Sequence, residues 1–155
     1  MRIREVAAIF AGAALILWGA GVSFAQYDYG KQSPAQVGDN GKAQTQLRTA
    51  IDHAKNAVGS SAMGTAVMHL GHVLNCIEGT KGKHFNAAWG HVCQGQGDGI
   101  LVDIKGTKNA ETVMPILDNA DNLAQAGVQA KNLAGVQDAA RRVGALLQVV
   151  MDTIK

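Results

Sequence analysis

The segment Met68-His-Leu-Gly-His-Val-Leu-Asn-Cys-Ile-Glu-Gly79, with the connection that runs on to Cys93, holds most of the side chains able to do chemistry. It carries both cysteines and four of the five histidines. In a helix each residue turns by about 100°. His69, His72 and Cys76, spaced three and four apart, therefore share one narrow stripe. Met63, Leu70, Leu74 and Ile77, with Ala66 among them, gather on a neighbouring face. The histidines thus fall at the edge of the buried face. His-x-x-His within a helix can offer two imidazoles to one metal ion or one cofactor. The plainer reading is two polar boundary residues, one of them hydrogen-bonded.

Cys76 and Cys93 are expected to pair as a disulfide, because two cysteines in an exported chain are most simply joined. The competing use is thiolate ligation, with His72 one turn before Cys76; an oxidising compartment disfavours it. Export is expected from residues 1–25, which resemble a secretory signal peptide in layout. Arg2 and Arg4 give a basic start, Val6 to Val22 an apolar run, and Ser23-Phe24-Ala25 a small-residue cleavage site. An uncleaved anchor is the alternative. The expected location is periplasmic or secreted, with no membrane association after cleavage.

The elements that must position these residues read as helices. Residues 26–42 lack an apolar period and read as a flexible leader. The domain is expected over 43–155. Leu47, Ala50, Ile51, Ala54 and Val58 mark helix one, with His53 at the edge of its stripe. Gly59-Ser60-Ser61 is expected to end it and to cap helix two from about Ala62 to Ile77. Whether His53 faces His69 and His72 depends on packing handedness, which the pattern leaves open. Gly64 and Gly71 within helix two suggest close approach of another helix or a flat ligand.

Residues 79–109 read as a long glycine-rich connection, with one helical turn at Asn86 to Trp89 and an apolar piece at Ile100 to Ile104 lying on the core. Connections this long are often functional. The disulfide would bring His84 and His91 within reach of helix two. Pro115 is expected in the first turn of helix three, which would then start near Thr112. Val113, Leu117, Ala120, Ala124 and Gly127 form its inner stripe. Leu133, Val136, Ala140, Val143, Leu147, Val150 and Ile154 repeat at three and four through helix four. The fold class expected is all-α: a four-helix bundle of two antiparallel helical hairpins with a long disulfide-tied crossover loop.

Composition excludes several functions. The formal net charge is +2, and losing Arg2, Arg4 and Glu5 with a leader lowers it by one, so nucleic acid is not an expected partner. There is no Cys-x-x-Cys-His for covalent haem and no Glu-x-x-His pair of a di-iron bundle. Gly95 to Gly99 lacks the Lys-Ser/Thr of a phosphate loop, and Asp98 and Asp103 lack the spacing of a calcium loop. No nucleophile motif or placed acid pair points to an enzyme.

Imidazole suits copper, zinc, nickel and haem iron. The leading expectation is an exported small helical protein that binds a transition metal or non-covalent haem b through His69 and His72, then His53, with His84 and His91 from the loop. The alternative is a non-enzymatic interaction module for another periplasmic protein. It would use the tied loop 77–93, with Phe85 and Trp89 as contact residues. Both aromatics capping the core is the plainer option.

Overall fold

The computed structural model describes residues 39–155. The expected signal segment and all but the end of the expected leader lie outside them. Residues 40–42, placed in the leader from the sequence, are already helical. The described residues form five α-helices and one 3-10 turn, with no strand: α1 Asn40–Gly59, α2 Met63–Glu78, the turn Ala87–Trp89, α3 Ile100–Ile104, α4 Ala110–Val128 and α5 Leu133–Thr153. The all-helical expectation holds.

α1 begins three residues before its apolar stripe because Asp39 caps it. The Asp39 carboxylate accepts from the backbone N–H groups of Gly41 and Lys42 at 2.9 and 3.2 Å, satisfying donors that an uncapped first turn leaves bare. α2 starts without such help. Its N-cap is Ala62, and no side chain caps it, so the expected serine cap is not made. Ser60 instead donates back to the Asn56 carbonyl at 2.8 Å. α4 starts at Ala110, two residues earlier than expected, so Pro115 lies inside the helix rather than in its first turn.

Small residues let the helices close on one another. α1 presents buried Ala43, Leu47, Ala50, Ile51, Ala54 and Ala57 to α2 and α5, its main neighbours. α4 packs on α5 and on α2 through Val113, Leu117, Ala120, Ala124 and Gly127, all buried. This is the stripe read from spacing. Val136, Ala140, Val143, Leu147, Val150 and Ile154 of the expected fourth stripe are buried as well.

The second half of α2 departs from an amphipathic pattern. Every residue from Leu70 to Gly79 is buried, because the connection after α2 folds back over its outer face. The Cys76–Cys93 disulfide, with Cα atoms 5.4 Å apart, closes that cover. Two polar hubs fix it. Asn75, fully buried, donates to the carbonyls of Asn86 and Gly90 at 2.9 and 2.6 Å and accepts from the Asn86 N–H at 2.9 Å. Gln46, equally buried in α1, donates to the Asp103 carboxylate at 2.6 Å and accepts from the Gly99 N–H at 3.0 Å.

The connection is therefore more ordered than a bare loop. The turn expected near Asn86 to Trp89 forms, and Ile100 and Ile104 are buried in the short α3. The Trp89 ring lies directly on Gly71: a Cβ built there would sit 2.3 Å from Trp89 Cδ2. Gly71 thus makes room for an indole from the loop. At Gly64 nothing among the described residues lies within 4 Å of the corresponding position, so none of them approaches it closely.

Candidate metal centre

α1 and α2 bring three histidines to one point. His53 Nδ1 lies 3.0 Å from His69 Nδ1 and 3.1 Å from His72 Nδ1. The rings are 4.6 to 5.8 Å apart between centroids and mutually tilted, at 44° to 83°, so they converge rather than stack. His53 and His69 are half-buried and His72 is buried. The edges of helices one and two therefore face each other, resolving what spacing left open.

The convergence of nitrogens has a simple consequence. A neutral imidazole nitrogen carries either one N–H or one lone pair. His53 Nδ1 can therefore satisfy one of its two neighbours well, not both. A cation between the three engages all three lone pairs. Nitrogens each about 2.0–2.1 Å from one zinc-like ion are about 2.9 to 3.3 Å apart as their angle opens from square to tetrahedral. The two observed separations fall in that range.

The electrostatics suit a cation as well. Burial pushes the His53 pKa down, helped by repulsion from His72 and then His69 and partly offset by Asp52. Burial also lowers that of His72, against the effect of a backbone hydrogen bond involving Trp89 and with repulsion from His69. These two rings favour the neutral form, which keeps lone pairs available. The far edge of His72 is covered by the loop: a Cβ at Gly90 would sit 3.5 Å from His72 Nε2, and Gly90 has a left-handed φ of 85°. Nδ1 faces the cluster while Nε2 lies towards the loop at Gly90.

The other two expected histidines are elsewhere. His84 Nδ1 is 2.7 Å from Glu78 Oε1, and the His84 N–H donates to Glu78 Oε2 at 2.6 Å. His91 stands edge-on to Phe85 with centroids 5.4 Å apart. Neither joins the group of His53, His69 and His72. Of the expected contact aromatics, Trp89 and Phe85 are both partly buried, and Trp89 packs against the hydrophobic core. Cys76 is oxidised in the disulfide, which removes it as a thiolate beside His72.

A second group of metal-ligand type joins Glu78, His84 and Asp121, with one donor atom of each within 4.8 Å of the others. Burial, then the neighbouring Glu78 carboxylate, push the Asp121 pKa up to about 6. Asp121 carries no short-range sequence signal, being 43 residues from Glu78; only the packing of α4 on α2 brings it near. Asn75 and Gln46 are hidden in the sequence for a related reason. A lone amide within a helical pattern looks like any solvated polar residue until its partners arrive from the loop. No family model, no curated protein and no solved structure matches this chain.

Proposed function

We propose that this protein is an exported helical-bundle protein that binds a divalent transition-metal ion through His53, His69 and His72. The observation that carries the reading is the meeting of three Nδ1 atoms at 3.0 and 3.1 Å around His53. Three nitrogen donors suit zinc, copper or nickel. The close approach of the rings favours a bare ion over haem, because a macrocycle needs its axial ligands on opposite faces with the ring plane between them. Four long helices stacked as a bundle would hold the donors on two neighbouring elements, a recurrent place for metal sites.

Export is supported by the disulfide, which persists in oxidising compartments, and by the leader-like composition of residues 1–25. Among the described residues no helix is long and apolar enough to cross a membrane. The partial exposure of His53 and His69 gives an ion a way in and out, which fits carriage or storage of the ion rather than catalysis.

The test is titration of untagged protein with Zn2+, Cu2+ and Ni2+ against a competing chelator, with metal analysis of the protein as isolated. One equivalent should be lost in the His69→Ala/His72→Ala variant. Nitrogen hyperfine structure in the Cu2+ spectrum should weaken with it. Unchanged affinity and an unchanged spectrum in that variant would refute the reading.

A further inference from the structure

Glu78, His84 and Asp121 come from three elements: the end of α2, the connection after it, and the middle of α4. Glu78 is only 7% exposed, an unusual place for a carboxylate unless it is paired. Among the described residues its one close partner of opposite charge type is the His84 ring at 2.7 Å. Asp121 is a second acid in the same spot, and Asp118 adds further negative charge nearby.

Each carboxylate uses one oxygen as an anchor. Glu78 Oε2 accepts the His84 backbone N–H at 2.6 Å. Asp121 Oδ2 accepts from the Gln125 side-chain amide at 2.6 Å. That leaves Glu78 Oε1 against the His84 ring, and Asp121 Oδ1 buried with no hydrogen-bond partner among the described residues. A buried carboxylate oxygen without a donor is costly. Asp121 belongs to a group whose other members are a carboxylate and an imidazole, with one donor atom of each residue within 4.8 Å of the others.

We infer that Glu78, His84 and Asp121 form a second cation site, with two carboxylate oxygens and one imidazole nitrogen, for a divalent ion of the zinc or manganese class. The ion would neutralise two acids that otherwise face each other and would occupy the unpartnered Asp121 oxygen. Binding replaces the hydrogen bond between His84 and Glu78 with a bond from each to the ion; the proton on His84 Nδ1 leaves to solvent, and a ring that was neutral takes one up at Nε2. The donor set is richer in oxygen than the three-histidine centre, so this site should take Mn2+ better than that centre does, whereas copper and nickel should prefer the nitrogen site. It would also tie the connection to α4, through α2, by a link independent of the disulfide.

The site stands apart from the proposed histidine centre, and the experiment separates them. The His53→Ala/His69→Ala/His72→Ala variant is titrated with Zn2+ and, by electron paramagnetic resonance, with Mn2+. It should retain one equivalent of each. Adding Asp121→Asn, or separately His84→Gln, should weaken binding by more than the roughly 10- to 100-fold that loss of a merely orienting partner costs. Circular dichroism and urea midpoints of each variant show that the fold survives; having two single changes guards against one that does not fold. No binding in the triple variant while it is folded overturns the inference. So does binding that persists through both additional changes. Wild-type binding that is insensitive to the three histidines but is lost with Asp121→Asn would overturn the proposed histidine centre and leave this site standing.

Discussion

Gly71→Ala sets two effects of opposite sign against each other. Alanine in place of glycine in a helix interior gains about 1 kcal/mol from backbone entropy alone. At Gly71 the added Cβ would lie 2.3 Å from Trp89 Cδ2, 2.5 Å from Cγ and 2.7 Å from Cε3. Ordinary carbon contacts are about 3.5 to 4.0 Å, so the indole must retreat by more than about 1 Å. It is not free to do so: Asn75 holds the backbone on both sides of it, at Asn86 and Gly90. Overpacking typically costs about 1–3 kcal/mol, and the pinned backbone puts this case at the upper end. The net expectation is a loss of about 2 kcal/mol. Gly64→Ala is the control in the same helix, where nothing among the described residues lies within 4 Å; it should be neutral or stabilising by up to about 1 kcal/mol. Urea unfolding of both variants measures the contrast. A Gly71→Ala/Trp89→Ala cycle then shows whether the penalty belongs to the pair. If Gly71→Ala stabilises the protein as Gly64→Ala does, Trp89 does not rest on α2 and the account of the loop cover is wrong.

Three further outcomes follow from the same geometry. Replacing Cys76 and Cys93 together by serine should cost roughly 3 kcal/mol in a urea midpoint, the value for a loop of about this length. A much smaller loss would mean that Asn75 and Gln46 already fix the connection. Asn75→Ala removes three hydrogen bonds from a fully buried side chain and should cost about 2–3 kcal/mol, with faster amide exchange at Asn86; unchanged exchange there argues against the hub. In chelator-treated protein, His53 and His72 bind protons less readily than the ordinary imidazole value of 6.5, so near that pH the unfolded chain takes up protons that the folded chain refuses. Their effect on stability is therefore nil well above 6.5 and a growing loss as pH falls through it. Urea midpoints at pH 7.5 and 5.5 should fall in that order, with the drop reduced in His53→Ala/His72→Ala. An equal drop in that variant assigns the effect to other groups.

How far the chain could be read depended on whether a residue's partners were local. The buried stripes of α4 and α5 are legible because every three or four residues an apolar side chain returns to the same side. The disulfide is legible because a sequence with two cysteines offers only one internal pairing. His69 and His72 declare themselves by spacing, and His53 sits at a comparable edge, but their meeting depends on how α1 and α2 lie against each other. Ile100 to Ile104 could be taken for an extended apolar run; Gly99 and the Gln46–Asp103 contact instead close it into a helical turn. Pro115 reads as a mark of a helix start because it lacks an N–H, yet α4 tolerates it beyond the first turn. The pairing of His84 with Glu78 and Asp121 needed the loop's path and the position of α4 together, and no single stretch encodes both.

α2 is one continuous helix that carries His69 and His72 near its middle and Glu78 at its end. Six residues of helix separate His72 from Glu78, a rise of about 9 Å, and the two side chains leave the axis in different directions. Ions held at both ends of this span would sit roughly 12 Å apart on a rigid rod. Two doubly charged ions at that distance repel by about 1.4 kcal/mol even in a medium as polarisable as water. Loading of the two positions would therefore be coupled, each opposing the other. The first ion to arrive weakens the second by up to about tenfold in dilute buffer, and by less at physiological ionic strength, where the screening length is about 8 Å. With both positions filled, each ion would be held more weakly than it would be alone, and raising the salt concentration would narrow that difference.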